Sequence, residues 1–362
     1  MTKISENDEE RRSQKRKRRS RRRARGFMTA FLVVLLLGVI AILSVLLIIE
    51  KRDAQKVELQ AAMLSEEIEK AGNENDADLI NEASYNKGYD DCKNKLKEYC
   101  ESGESIVDML RSWYPEYVVY NTKTGYVFAP IQPDVPKAEY PRDSFVTEEN
   151  GDIAYYSNGN KISKKGIDVS KYQGEIDWEK VAASDIEYAM LRVGIRGYGT
   201  GKLVIDETFE DNIEGASKYG IPIGVYFATQ AVSTEEAIEE AELVIEALKD
   251  SKLSYPVAID VEDVNDSEAR TANLTAEQRT DYTIAFLERI KEAGYDTMIY
   301  GNLKSFCGML QVERLTDYEF WFAYYDKYIY FPYRISMWQY TEKGRIDGIE
   351  GDVDINLLIK EE

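Results

Sequence analysis

The residues of this 362-residue chain best suited to do chemistry are carboxylates set in apolar surroundings. Asp260-Val261-Glu262 closes the apolar run Val257-Ala258-Ile259. Residues i and i+2 of a strand face the same side, so this pair is expected to converge on one site. Two like charges that close raise one pKa. One group can then act as a general acid while its partner stays ionised, the division of labour that glycoside hydrolysis needs. A solvated loop end or a divalent-cation site is the competing reading of a D-x-E taken alone. Asp168 stands near the end of Gly166-Ile167-Asp168-Val169, and Asp354 lies inside Val353-Asp354-Ile355. An acid within an apolar strand is costly unless it is paired or used. The chain has no histidine. That removes a Ser-His-Asp triad, a Cys-His dyad and an H-E-x-x-H zinc site. Acid–base work near neutral pH therefore falls to carboxylates, Tyr, Lys or Cys, and neither a metal nor a cofactor is expected.

Positioning such acids is the task of the elements around them. From Lys165 onward, eight short apolar runs read as strands. They are Gly166–Val169, Tyr188–Val193, Ile223–Phe227, Val257–Val261, Thr297–Tyr300, Phe320–Tyr324, Ile335–Tyr340 and Val353–Ile355. Helical patterns separate the earlier ones. Ser233 precedes Glu236, and Thr275 precedes Gln278, by the three residues of a capping box, and Gly294 ends the latter helix. Eight strands with interleaved helices over residues 165–360 predict an α/β domain, a (β/α)8-like barrel, irregular because helices are sparse in its last third. Barrel enzymes keep their chemistry at the C-terminal ends of the strands, where Asp168, Asp260 and Glu262 fall.

Charge divides the chain. Residues 1–26 carry 12 basic and 4 acidic side chains, and the remaining residues carry 34 and 62, so a net charge of −20 conceals a basic head on a body of −28. The acidic body argues against nucleic-acid binding, which needs a basic face. Residues 27–49 hold no charge, and 23 residues at about 1.5 Å each span a hydrocarbon core of roughly 30 Å. The run exceeds a signal-peptide core and ends without a small-x-small cleavage site. A single-pass signal anchor is expected, with residues 1–26 cytoplasmic by the positive-inside rule and the rest outside the cell.

Residues 50–114 read as a helical stalk rich in Glu, Lys, Ala and Leu, broken near Ala71–Asn75. On a continuous helix Cys92 and Cys100 share a face about 12 Å apart, too far for one intrachain disulfide. They can pair with their copies in a stalk-mediated homodimer, bridge if the helix bends, or stay free. Cys307 reads as a small core residue. Residues 115–164 form a small β-rich connector: a hairpin at Tyr117–Phe128, then four prolines, then a strand and turn at Gly151–Asn160. Its expected role is that of a spacer.

Gly166-Ile167-Asp168-Val169-Ser170-Lys171-Tyr172-Gln173-Gly174, with Ile176-Asp177-Trp178, resembles the opening motif of glycoside hydrolase family 25, the Chalaropsis-type lysozymes. Later blocks agree in order: Leu191–Gly194, Gly224–Ala228, Ile259–Glu262, Ile299–Asn302, and Trp338–Tyr340 with Gly351–Asn356. The resemblance covers residues 165–360. It implies an N-acetylmuramidase that cuts the β-1,4 bond between N-acetylmuramic acid and N-acetylglucosamine in peptidoglycan glycan strands. By motif position Glu262 matches the proton donor and Asp260 the partner acid, with Asp168 and Asp354 as further acids of the site. The stereochemical outcome stays open, with retention through the substrate N-acetyl group favoured by other D-x-E sites. Tyr172, Tyr226, Tyr300, Tyr324, Trp338 and Tyr340 are candidate sugar platforms, Tyr300 and Trp338 foremost, and Arg192 is expected to brace Asp168 or Asp260. Many family members carry a histidine in the opening motif or in the Tyr-Phe-Ala block; here Tyr226 or Gln173 must take its place. The alternative is a non-catalytic wall-binding barrel or an assembly component of an envelope-spanning apparatus, against which the four intact acids speak.

Overall fold

The computed structural model describes residues 74–359, apart from 104 and 250. The basic segment 1–26, the apolar run 27–49 and the first part of the expected stalk lie outside the described residues. Among the described residues, no helix is long and apolar enough to cross a membrane. The chain divides into two compact units, one ending at Ser102 and one running from Gly103.

In the first unit the described residues form one helix, α1 (Glu74–Ser102). It is continuous through Cys92 and Cys100, which are both exposed free thiols. The geometry that forbids a bridge between the two on one chain therefore holds. The stalk expected to run to residue 114 stops earlier, because Gly103 takes a positive φ of 76°. The next helix, α2 (Ile106–Trp113), belongs to the second unit and buries Met109.

The connector is not a free spacer. Its hairpin β1 (Tyr117–Thr122) and β2 (Gly125–Pro130) is antiparallel, as the sequence indicated. A small sheet of β3 (Phe145–Thr147), β4 (Ile153–Ser157) and β5 (Asn160–Lys161) follows. Val118, Tyr120, Phe145 and Tyr155 join the same apolar cluster as Phe331 and Trp338. The Val119 amide donates to Tyr330 Oη at 2.9 Å and the Gln132 amide to Tyr333 Oη at 2.8 Å. A segment that contributes to the domain's core is part of that domain.

The barrel strands are β6 (Ser163–Val169), β7 (Tyr188–Arg196), β9 (Ile223–Ala228), β10 (Val257–Asp260), β11 (Thr297–Asn302), β12 (Glu319–Ala323), β13 (Met337–Gly344) and β14 (Val353–Ile359), with β8 (Leu203–Ile205) an edge addition to β7. These eight are the runs expected from the sequence. Each pairs with its neighbour in order, and β6 closes on β7. The irregularity is sharper than foreseen, because β14 runs antiparallel to both β13 and β6.

Helices cover the outer face: α3 (Trp178–Ala183), α4 (Phe209–Lys218), α5 (Thr234–Leu248) and α6 (Ala276–Glu292). Helix α6 starts on a reciprocal Thr275/Gln278 capping box. At α5 only half of the box forms: Ser233 Oγ accepts from the Glu236 amide, while the Glu236 carboxylate takes the Val232 amide instead. After α6 the crossovers shorten to a π-helical turn, Ser305–Met309, and a 3-10 turn, Val312–Arg314.

Strand alternation sorts the side chains into two cores. Outward residues such as Ile167, Val225, Ile259 and Phe322 pack under the helices. Tyr188, Met190, Ala258, Met298, Tyr300, Trp321 and Met337 fill the barrel. Gly166 belongs to this arrangement, since a Cβ there would run into the Tyr188 ring.

Candidate active site

The inner side chains change from apolar to polar toward the C-terminal ends of the parallel strands. By the same alternation that buries Met190, Ala258 and Met298, the next inward positions are Arg192, Asp260 and Tyr300. The reversed strand completes the ring. Because β14 enters from the opposite direction, its first residues stand where the other strands end, and Asp354 pairs in register with Asp168. Asp260 pairs with Tyr300, and Glu262 follows two residues beyond.

Asp168 is buried and held by two amides. Gln339 Nε2 donates to its Oδ2 at 2.8 Å and Asn356 Nδ2 to the same oxygen at 2.7 Å. Both amides are locked in orientation. Gln339 Oε1 accepts from Tyr300 and Tyr325, each at 2.9 Å, and Asn356 Oδ1 accepts from Trp321 Nε1 at 2.8 Å. Asp354 also hydrogen-bonds Asp168. Burial and then the Asp168 charge push Asp354 up to about 8, and burial raises Asp168 as well, so at neutral pH the pair shares a proton.

The D-x-E pair departs from the expected division of one raised and one ionised acid, because both carboxyls are raised. Burial, then the charges of Glu262 and Asp168, raise Asp260 well above the carboxylate range. Its Oδ1 is buried and, among the described residues, has no hydrogen-bond partner. Burial also raises Glu262, against the opposing effect of a 2.7 Å hydrogen bond from Asn302 Nδ2 to its Oε1. Glu262 is thus a half-buried carboxyl poised to carry a proton, beside an acid with a free acceptor atom. Among the described residues no group of three or more metal-ligating side chains occurs.

The other expected site residues divide. Tyr226 sits among the acids, its hydroxyl raised by burial and by Asp168, with its ring edge-on to Trp321 at 5.8 Å. Tyr300 is buried, pairs edge-on with Trp321 at 4.6 Å, and acts through Gln339 instead of as an open platform. Tyr172 is 78% exposed, with the Arg192 guanidinium 5.0 Å from its ring centroid. Arg192 does not bond Asp168 or Asp260. It pairs with Asp206 at 2.7 Å, and Asp206 in turn accepts from the Lys171 amide, so the ion pair fixes the Tyr172 turn against β7. The positive charge of Arg192 opposes, without overcoming, the rise that burial imposes on Asp168 and Asp260.

Trp338 is a correction. It is 0% exposed and lies on the outer face of β13, against Phe145 at 5.2 Å, with its indole N–H donating to the Tyr324 carbonyl. It has no surface to offer a sugar. Tyr340, on the same outer face, donates to Asp152 in the connector. Tyr324 stacks on Phe322 at 5.9 Å. Gln173 is spent on a capping box with Ser170. Gln339, Asn356, Asn302 and Tyr325 were not foreseen. A polar amide within an apolar strand, as in Met337-Trp338-Gln339-Tyr340, is the signal that marks the first two.

A profile described as "Glycosyl hydrolases family 25" matches residues 167–349, just over half of the chain. The chain belongs to glycosyl hydrolase family 25. As a member it is a glycoside hydrolase, and the match stops short of β14 and Asp354. YegX of Escherichia coli strain K12 is 27% identical over 199 residues, covering 53% of this chain and 68% of its own. The autolytic lysozyme of Clostridium acetobutylicum is 25% identical over 200 residues, covering 53% of this chain and 55% of its own. The structure is similar to the modular autolysin LytC of Streptococcus pneumoniae in complex with a synthetic peptidoglycan ligand. The TM-score is 0.51 and the identity 25%, over 66% of this chain and 56% of that one. The family 25 chain described here thus spans little more than half the length of the autolytic lysozyme and of LytC.

Proposed function

We propose that this family 25 hydrolase is a muramidase cutting the β-1,4 bond between N-acetylmuramic acid and N-acetylglucosamine in peptidoglycan. Glu262 is the general acid and Asp260 the partner acid. The carrying observation is the convergence of Asp168, Asp260, Glu262 and Asp354 at one end of the barrel, with pKa values raised by burial and by each other. Raised carboxyls are what a glycosidase needs to donate a proton to a leaving oxygen at neutral pH. The free Oδ1 of Asp260 suits the N–H of a substrate acetamido group, which can then attack the anomeric carbon and give retention. Tyr172 and Tyr226 supply ring faces and hydroxyls to the sugar, and Arg192 holds the Tyr172 turn.

Residues 27–49 are read as a signal anchor that keeps the N-terminus in the cytoplasm and the hydrolase outside. The basic cluster followed by 23 uncharged residues supports this. Along α1, Tyr85, Tyr89, Cys92 and Leu96 follow one another at spacings of three and four with exposed side chains, which supports pairing of two copies of the stalk.

Digestion of purified peptidoglycan by the full-length chain, with mass analysis of the reducing ends, tests the activity. Muramic-acid ends are expected. Glucosamine ends would mean another bond, and folded protein that releases nothing would overturn the reading. Glu262→Gln is expected to lower kcat about 10²–10⁴-fold, the contribution of a positioned general acid.

A further inference from the structure

We infer that Asn302 is a positioning residue that decides which oxygen of Glu262 carries the catalytic proton. The inference rests on Glu262 being the general acid. Asn302 ends β11, and its side chain is held from both sides. Its Oδ1 accepts from the Lys304 amide at 2.9 Å and the Ser305 amide at 3.2 Å, capping the turn into the π-helical segment. Rotating the amide would set its NH2 against two N–H donors and take the acceptor away from both. The orientation is therefore fixed by the backbone, and Nδ2 must face β10.

There it donates to Glu262 Oε1 at 2.7 Å. An oxygen that already accepts a strong hydrogen bond is a poor place for a proton, so the proton resides on Oε2. A general acid works only if its proton lies on the oxygen that faces the leaving group. When Oε2 has given its proton away, the same Asn302 bond stabilises the carboxylate that remains. Asn302 thus acts twice, on where the proton sits and on how readily it leaves. The other groups that face Glu262 through the barrel mouth are anionic or neutral. They are Asp260 on β10, Asp168 on β6, Asp354 on β14, Tyr300 on β11 and Tyr325 after β12. Of the nearby cations, Lys304 is engaged with Asp263, Arg192 with Asp206, and Arg279 on α6, which lines a cavity with Glu262, donates to the Thr271 carbonyl. Asn302 is therefore, among the described residues, the side chain that the structure shows donating to this carboxyl. Asn302 closes the block Ile299–Asn302, but nothing local announces its pairing with Glu262, which lies 40 residues away.

Two substitutions separate positioning from turn structure. Asn302→Asp and Asn302→Ser both keep an oxygen able to cap the Lys304 and Ser305 amides. Asp replaces the donor with an acceptor, and Ser is too short to reach Glu262. Both full-length variants are expected to keep the wild-type circular dichroism spectrum, the wild-type melting temperature at about pH 4 and the wild-type KM for peptidoglycan. The basic limb of the kcat profile, where Glu262 loses its proton, moves up by at least about one pH unit, and kcat falls at the optimum. Asn302→Asp moves it further, because the two carboxyls share a proton. pH-difference infrared spectra with carbon-13-labelled glutamate, referenced to Glu262→Gln, read the same shift without substrate. If neither variant moves the Glu262 titration or the basic limb, the inference fails. If the titration moves while wild-type protein leaves peptidoglycan intact, Asn302 keeps its role and the muramidase reading fails.

Discussion

Asp354 shows how one titrating group ties the site to the stability of the fold. Its carboxyl sits at about 8 in the folded protein, against about 4 for an ordinary aspartate. Between those values the folded protein keeps a proton that the unfolded chain has released. Stabilisation from this group is therefore full below about pH 4 and declines as the pH rises toward 8. Asp168, Asp260 and Glu262 are raised in the same sense, as is Glu240, at about 7 through burial. Denaturant midpoints should thus fall from about pH 5 to about pH 8.5. Asp354→Asn should make that decline shallower, and an equally steep decline in the variant would remove Asp354 as a source. Catalysis pays for this site with stability near neutral pH. Cys307 behaves differently, since burial pushes its thiol up to about 12 and leaves it inert, as expected for a small core residue.

At the scale of elements, the eight barrel strands were legible because each is a short apolar run closed by a polar break. What escaped was direction and facing. Nothing in Val353-Asp354-Ile355 states that β14 runs backward, because strand polarity is set by the connection that precedes it, here a helix-free loop between β13 and β14. Trp338 was misplaced for a simpler reason. Gln339 binds Asp168 inside the barrel, so its neighbour in the strand must face out. The connector was read as a spacer because its core contacts are long-range and no local pattern announces them. Two expectations follow. Trp338→Ala should cost about 3–5 kcal/mol, the range for emptying a large aromatic site, with KM for peptidoglycan unchanged; a raised KM at unaltered stability would restore it as a sugar contact. Arg196 is buried against Glu240 at 2.7 Å. Arg196→Ala should cost about 3–5 kcal/mol in chemical denaturation because it strands a buried carboxylate, while Glu240→Gln in the same background should recover part of the loss.

For the whole molecule, the body beyond residue 26 carries −28, and peptidoglycan stem peptides are themselves anionic. Repulsion between enzyme and wall should dominate encounter at low salt. Raising ionic strength from about 0.01 to 0.15 M shortens the Debye length from about 30 to about 8 Å. KM should therefore fall with added salt while kcat stays level, and a KM that rises instead would point to attractive contacts outweighing the net charge. Non-reducing electrophoresis of the full-length chain in membranes should show a dimer band that the double substitution Cys92→Ser and Cys100→Ser removes if the stalks pair in parallel.

The reversed strand β14 has a consequence in time as well as in space. It carries Asp354 and Asn356, closes the barrel between β13 and β6, and is the last barrel strand to be synthesised. A nascent chain that has emerged only as far as β13 has Asp260 and Glu262 but no closed ring to aim them and no proton shared with Asp168. An enzyme built this way becomes competent only in a single late step, the docking of β14.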